Sequence, residues 1–217
     1  MITPRRTICF ILSAFVLGSC SIGGNEVPER RVRVKVLADV SFRARNPGWV
    51  EEARGILEAT SDYYEREFRI RFTPESVSAW PETERIDSTP ALLAKLQRDF
   101  PPGASPGNYD LIVSFTAENT SRYLTAGRAR VDRIGDCAAG LSRYVVVPVG
   151  KIFRDRGAGA EPEFEVIALI HELGHVFGAE HVQDTSSLMH EHFGYRTEFD
   201  AKNRSIIQKN RFCPFAK

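Results

Sequence analysis

The sequence predicts an α+β domain in which one buried helix leads into a cluster of histidines. Stretches that alternate between apolar and polar residues, as strands do, lie between stretches with the apolar spacing of helices. The helical stretch before His171 is apolar on most of its sides, which is typical of a helix inside a protein. All five histidines of the 217-residue chain fall between His171 and His192. We therefore expect the chemistry of the protein at the end of this helix.

The composition is that of a globular protein, with 42% hydrophobic and 26% charged residues. A chain of 217 residues suits one domain with a substantial core. The formal net charge is only +1, which gives no electrostatic case for binding nucleic acid. We expect no nucleic-acid partner and a monomer.

The N-terminus has the pattern of an export signal. Arg5 and Arg6 form a positive region, and residues 8–17 form an apolar run that is too short to span a bilayer. The sequence around Cys20 then resembles the lipobox of bacterial lipoproteins, in which the chain is cut before a cysteine that receives lipid. The alternative is an ordinary signal peptide with a coincidental cysteine.

This reading divides the chain into a lipoprotein signal peptide over 1–19, a flexible tether over 20–30 and a folded domain over 31–217. Loss of Arg5 and Arg6 changes the net charge from +1 to −1, so membrane attachment would depend on the lipid. We expect an exported protein, lipid-anchored to a bacterial membrane at its periplasmic face or at the cell surface. Ser21 after the cysteine favours the outer membrane.

The first half of the folded domain is predicted to alternate between strands and helices. Residues 31–36 alternate strictly, which predicts a strand with one buried face. Asn46 and Pro47 predict the start of a long helix, as a capping residue and a proline at the first helical position. The other elements expected here are a strand over 68–72, a helix over 89–100 and a strand over 109–115.

The second half is predicted to hold two more strands, the buried helix and a last helix. The strands are expected over 137–142 and 144–149. The arginines of residues 116–135 are interpreted as a solvated surface, with substrate contact as the alternative. Thr197 begins a pattern similar to a capping box, which predicts the start of the last helix.

The residues from His171 to His181 read H-E-x-x-H-x-x-G-x-x-H. His171 and His175 are four residues apart, so a helix places both on one face where they can reach one metal ion. Gly178 permits a positive-φ turn that ends the helix and brings His181 round as a third ligand. Three neutral imidazoles favour one catalytic Zn²⁺ with an open position for water, which Glu172 could hold. The alternative is a buried helix whose histidines only pack or form hydrogen bonds.

The four cysteines separate into two groups. Cys9 would leave with the signal peptide, and Cys20 would carry lipid. Cys137 and Cys213 remain as an even pair in an oxidising compartment, which predicts a disulfide between the C-terminus and the segment before the buried helix. The alternative is two separate thiols.

The histidine motif and the order of the predicted elements resemble the metzincin metalloproteases. The resemblance implies a five-stranded mixed, twisted sheet with two long helices and an active-site helix at the back of the cleft. It also implies a small C-terminal subdomain with one helix and a methionine turn. Met189 stands where that turn is expected, eight residues after His181, as an apolar floor below the imidazoles. The alternative is an ordinary core methionine.

The function that this resemblance implies is a zinc-dependent endopeptidase. It would hydrolyse peptide bonds with a zinc-bound water and Glu172 as the general base. A peptide or protein substrate would lie extended against an edge strand near residues 138–142. The alternative from another class is a non-catalytic peptide-binding lipoprotein on the same scaffold, although such a protein has no need of Glu172. A hydrolase for small molecules is a third reading.

The residues around the motif leave the metzincin subfamily open. Val182 follows the third histidine and fits none of the common choices at that position. Glu191 takes the place at which some metzincins carry a tyrosine. His190 and His192 are expected to be exposed or to form local hydrogen bonds, because three ligands are already assigned.

Overall fold

The protein is described here from a computed structural model. It describes residues 29–45, 47–81, 86, 88–103, 108–117, 130–149, 164–192, 194 and 196–217. The predicted signal peptide, Cys20 and most of the tether lie outside these residues, so those predictions stay predictions.

The described residues contain four strands and five helices. The strands are β1 (Arg30–Ala38), β2 (Ile70–Ala79), β3 (Leu111–Thr116) and β4 (Tyr144–Pro148). The helices are α1 (Val40–Arg45), α2 (Trp49–Phe68), α3 (Thr89–Asp99), α4 (Phe164–Val176) and α5 (Ala201–Asn210). None of these helices is both long enough and apolar enough to cross a membrane.

The four strands form one parallel sheet in the order β2-β1-β3-β4. The central strand β3 is buried along its whole length, as is usual for a strand of a parallel sheet that is covered on both sides. The other central strand, β1, alternates over its first half between buried valines and the exposed Arg31 and Arg33, and is fully buried only from Val36 to Ala38. The prediction of an α+β fold is confirmed, but the five-stranded mixed sheet is not. Among the described residues, one antiparallel bridge is added beside β4, between Val131 and Val145.

The strand predicted over residues 137–142 is wrong, because this stretch is a turn. The Asp136 carboxylate accepts hydrogen bonds from the backbone N–H groups of Ala138 and Ala139, at 2.7 and 2.6 Å. These bonds fold the chain back on itself, and Asp136 forms a bridge with Gly140. A local side-chain cap has therefore replaced extended backbone here.

Three helix starts differ from the sequence prediction. α1 was not predicted, and the Asp39 carboxylate caps it by accepting from the Phe42 N–H at 2.7 Å. α2 begins at Trp49, with Gly48 as its cap, and not at Asn46. α5 begins at Ala201, because Asp200 and not Thr197 accepts a hydrogen bond from the N–H of its first turn.

The sheet lies between two layers of helices. The larger apolar core lies between the sheet and the helices α2 and α4, and a smaller core lies below α3 on the other face. The Tyr64 hydroxyl of α2 donates to the Ile170 carbonyl of α4 at 2.8 Å. Every residue of α4 after Phe164 is buried, which confirms the prediction of an internal helix.

The predicted disulfide between Cys137 and Cys213 is present, with the two Cα atoms 5.0 Å apart. It ties the Asp136 turn to the chain beyond α5. Next to it, Leu141 pairs with Phe215, and the Leu141 N–H donates to the Pro214 carbonyl at 2.8 Å. The C-terminus is thereby fixed beside the segment that leads into β4.

Candidate metal centre

The structure brings together the three histidines of the motif. α4 carries His171 and His175 on one face, one helical turn apart. The Nε2 atom of His181 lies 3.2 Å from the Nε2 atoms of both other rings. Within the described chain these residues form the one group of three side chains that could hold a metal ion.

Gly178 makes this convergence possible. Its φ of +96° lies in the left-handed region, where a side chain is strained, and it directs the chain out of α4 towards His181. A Cβ atom at this position would also lie 2.5 Å from the Gly135 carbonyl oxygen. The predicted role of Gly178 in the turn is therefore consistent with its geometry.

Backbone carbonyls hold two of the rings in a defined orientation. His171 Nδ1 lies 2.6 Å from the Leu188 carbonyl oxygen, and His175 Nδ1 lies 2.7 Å from that of Ala179. Because a carbonyl oxygen can only accept, each Nδ1 carries the proton that it donates. In the neutral rings each Nε2 therefore carries its lone pair, and both Nε2 atoms lie next to that of His181.

The surroundings also favour the neutral rings. Burial lowers the pKa of His171 well below its usual value, and the neighbouring His175 adds to this effect. Burial lowers the pKa of His175 to about 4. The pKa of His181 is lowered as well, again mainly by burial. Neutral imidazole is the form of histidine that binds metals.

The donor set fits a zinc ion. Converging nitrogen lone pairs repel one another unless a cation lies between them, and three imidazoles are a common ligand set of catalytic zinc. The second ring nitrogen of His171 and of His175 is bonded to a carbonyl, which is how such ligands are usually supported. The residues present could hold one Zn²⁺.

Glu172 is buried beside the first histidine, with 1% of its side chain exposed. Its Oε2 accepts a hydrogen bond from the backbone N–H of Arg130 at 2.8 Å. Its Oε1 lies 3.7 Å from the Arg130 guanidinium. Burial raises the pKa of Glu172 to about 7, against the opposing effects of the guanidinium and the N–H bond.

Arg130 was not predicted from the sequence as a site residue. Interpretation of the arginines of residues 116–135 as a solvated surface is wrong for this one, because only 4% of its side chain is exposed. Its contact with Glu172 joins residues 42 positions apart. The alternation of Arg130, Val131 and Asp132 before β4 was a signal for extended backbone, but no pattern in the sequence pairs Arg130 with Glu172.

Met189 lies buried against α4, and its assignment to a methionine turn stays a prediction. A Cβ atom on Gly174 would lie 2.8 Å from the Met189 sulfur and 2.9 Å from the Phe199 ring, so α4 needs glycine there for this close approach. The Val182 N–H donates to the Met189 carbonyl at 3.0 Å, which ties the segment to the residue after His181.

The two other histidines lie near this cluster but form local contacts. His190 is buried, and its Nδ1 accepts from the His192 N–H at 3.1 Å. The His192 side chain is largely exposed and lies 3.9 Å from the Glu191 carboxylate. These contacts agree with the expectation of exposure or local hydrogen bonding.

Among the residues that the structure describes, the outer edge of the sheet near the histidines is formed by residues 130–132, which we call the edge segment. The Val146 N–H donates to the Arg130 carbonyl at 2.9 Å, and the Asp132 N–H donates to the Tyr144 carbonyl at 3.3 Å. These bonds place the edge segment antiparallel to β4. The predicted edge near residues 138–142 is thus wrong in position, because that stretch is the turn tied to the C-terminus.

Comparison with known proteins gives two positive findings. Residues 28–216 match the family described as metallo-peptidase family M12. The structure is similar to that of archaemetzincin from Methanopyrus kandleri, with a TM-score of 0.50 and 20% identity over 83% of this chain and 95% of that chain. At this identity the second similarity concerns the fold alone, and no curated protein matches the sequence. The metzincin resemblance is confirmed, and the chain belongs to metallo-peptidase family M12.

Proposed function

We propose that the protein is a zinc-dependent endopeptidase with His171, His175 and His181 as metal ligands and Glu172 as the general base. The observation that carries the proposal is the convergence of three Nε2 atoms beside a buried carboxylate, in a chain of a metallopeptidase family. A structural histidine cluster would have no need of a buried glutamate one residue away.

The three histidines would hold the ion through their Nε2 atoms. When bound, zinc supplies Lewis-acid chemistry, lowering the pKa of a water and stabilising negative charge on the substrate carbonyl oxygen. The carbonyls of Leu188 and Ala179 keep the His171 and His175 rings in the binding tautomer. Met189 would form the apolar floor below the rings, as the methionine turn does in metzincins.

Glu172 moves the proton in this proposal. Its carboxylate takes a proton from the water that attacks the scissile carbonyl, and then gives that proton to the nitrogen of the leaving amine. Burial raises the pKa of this carboxylate in the metal-free site, which favours the uptake of a proton. The chain itself thus contains the group that would accept and return the proton.

An extended peptide would pair with the edge segment. Arg130 and Asp132 direct their carbonyl and N–H groups, respectively, at β4, so the N–H and carbonyl of Val131 point the opposite way. Outward backbone groups on a sheet edge are the usual partners of a peptide that binds as an added strand. This replaces residues 138–142 as the proposed docking edge.

We also propose that the enzyme acts outside the cytoplasm as a monomer on a lipid anchor. The apolar run over residues 8–17 and the cysteine that follows it at Cys20 support this location. The disulfide between Cys137 and Cys213 is also in keeping with an oxidising compartment.

Digestion of a peptide library by the protein of residues 21–217 tests the function. We expect cleavage within peptides when the protein carries one zinc per chain, loss of cleavage with a chelator, and recovery when zinc is restored. Mass spectrometry of the products gives the cleavage sites. Zinc binding without cleavage, together with retained peptides, would support the non-catalytic binding protein instead.

A further inference from the structure

Arg130 is a buried arginine that contacts the proposed general base. We propose that Arg130 is a positioning residue that holds the Glu172 carboxylate in the orientation needed for proton transfer. The inference rests on the proposed function, because it assigns a role within the same reaction.

Arg130 contacts both oxygens of the Glu172 carboxylate. Its backbone N–H donates to Oε2 at 2.8 Å, and its guanidinium lies 3.7 Å from Oε1. A glutamate side chain has three rotatable bonds, so a single contact leaves the second oxygen free to move. Contacts on both oxygens restrict the carboxylate group as a whole, which is what a proton acceptor at a fixed place requires.

Burial separates this role from direct contact with a substrate. Only 4% of the Arg130 side chain and 1% of the Glu172 side chain are exposed. A guanidinium with so little exposed surface offers an extended peptide almost no area. Its charge instead interacts with the neighbouring Glu172 carboxylate. Low exposure strengthens an ion pair, so the loss of one partner there lowers stability more than it would on the surface.

The position of Arg130 is itself fixed from two sides. The Val146 N–H donates to the Arg130 carbonyl at 2.9 Å, which holds the residue to β4. Farther along the chain, the Gly135 N–H donates to the His175 carbonyl at 2.9 Å, which ties the same stretch to α4. Residues 130–135 are thus attached to the sheet at Arg130 and to α4 at Gly135.

The same residue belongs to the segment on which we expect the substrate to lie. Arg130 is the neighbour of Val131, whose outward backbone groups form the docking edge of the proposed function. A substrate that docks on the edge segment would therefore bind next to the residue that holds Glu172. A positioning role predicts an effect on the catalytic step, whereas a docking role predicts an effect on substrate affinity.

Arg130→Met and Arg130→Lys separate these roles. Arg130→Met keeps the backbone N–H and removes only the guanidinium, so we expect kcat to fall by about 10- to 100-fold and KM to change by less than about threefold. Arg130→Lys restores a charge without the planar fork, and we expect it to recover part of the lost kcat. The measurement uses the purified zinc-loaded protein and a peptide identified in the library.

Arg71→Met is the matched control. Arg71 also pairs with carboxylates, those of Asp62 and Glu65, but it lies on β2 at the opposite edge of the sheet, with 40% of its side chain exposed. We expect its kcat and KM to stay within about twofold of the wild-type values, because surface ion pairs contribute little.

Hydrogen exchange in the metal-free protein tests the contact without activity. The Arg130 amide should be protected in the wild type and in Glu172→Gln, whose side-chain oxygen can still accept. It should lose protection by about tenfold or more in Glu172→Ala. This measurement stays informative if Arg130→Met does not fold.

Three outcomes would overturn the inference. They are an unchanged or raised kcat in Arg130→Met, a rise in KM alone, and an Arg130 amide that exchanges equally in Glu172→Ala and the wild type. Failure of the proposed function looks different, because the zinc-loaded wild-type protein would then cleave no peptide at all.

Discussion

The two sides of the candidate centre differ in how well the sequence predicts them. α4 and the turn after it carry the three histidines and Glu172, all within eleven residues from His171 to His181. The edge segment supplies Arg130 from a stretch 42 positions away from Glu172. Helical periodicity makes the first side readable from spacing alone, whereas the second exists only once the sheet has formed. The residues proposed for the chemistry can thus be predicted from the sequence, whereas the residue that contacts them from another element cannot.

The largest expected effect lies on the α4 side. Glu172→Ala removes the proposed proton acceptor but leaves all three histidines in place. We expect kcat to fall by about a thousandfold or more while zinc content stays near that of the wild type. Peptide cleavage and metal analysis on the same preparation measure both quantities.

Glu180→Ala is the control for this change. Glu180 lies in the same motif, but its carboxylate is largely exposed and pairs with Lys202 on the surface at 3.4 Å. Its activity should match that of the wild type. A Glu172→Ala protein that cleaves as fast as the wild type would contradict the assignment of the base.

The second effect concerns the chain that follows the edge segment. Replacing both Cys137 and Cys213 by alanine opens a link between residues that are 76 positions apart. We expect the free energy of unfolding to fall by about 4 kcal/mol, because the unfolded chain regains the freedom that the link removes. Urea unfolding with and without reductant measures it: reductant should weaken the wild type and leave the variant unchanged. Equal curves for both proteins without reductant would contradict this.

Most of the fold could be predicted from the sequence where the signal was local. The alternation of residues 31–36 and the apolar character of 144–149 correspond to β1 and β4. The prediction failed where a side chain competes with the backbone pattern. Asp136 turns residues 137–142 back, and Asp200 caps α5 in place of Thr197. Short polar side chains that bond to nearby N–H groups decide these boundaries, and hydrophobic periodicity does not register them.

The candidate centre shows the same division. The three histidines, Glu172 and Met189 could be proposed from the sequence because each lies at a fixed offset from the others. Arg130 was missed because an arginine in a polar stretch is most often solvated, and only packing shows that this one is buried. Burial of a charge depends on partners brought by distant elements, so sequence spacing alone could not reveal it.

Replacement of Asp132 tests how much its hydrogen bonds stabilise the edge segment. One oxygen of its carboxylate accepts from the Ser142 hydroxyl at 2.6 Å and from the N–H groups of Arg143 and Tyr144, each at 3.0 Å. We expect Asp132→Ala to lower the free energy of unfolding by about 2 kcal/mol, since three donors lose one acceptor. Activity should fall as well if the edge segment positions Glu172.

Thermal unfolding and peptide cleavage of this variant measure the two effects. Asp62→Ala, at an exposed carboxylate that pairs with Arg71, is the control and should change neither. Full activity in a destabilised Asp132→Ala protein would show that the edge segment does not support the base.

Asp200 supports the α4 side of the centre in the way that Asp132 supports the edge segment. Its replacement is expected to have the smallest effect of the changes considered. Its carboxylate caps α5 and accepts from the Ser187 hydroxyl at 2.8 Å, next to Leu188, whose carbonyl orients His171. Burial raises the pKa of Asp200, but the hydrogen bonds from the Asn203 N–H and the Ser187 hydroxyl outweigh it, so the pKa lies below the usual 3.8.

A carboxylate with a lowered pKa stabilises the fold above its unfolded pKa, and this stability is lost as pH falls through the folded pKa. We therefore expect Asp200→Asn to cost about 1 kcal/mol at pH 6, and the difference from the wild type to shrink below about pH 4. Urea unfolding at pH 6 and pH 3, both with chelator so that metal binding does not contribute, measures this. A difference that stays constant over this range would show that the Asp200 charge does not stabilise the segment behind His171.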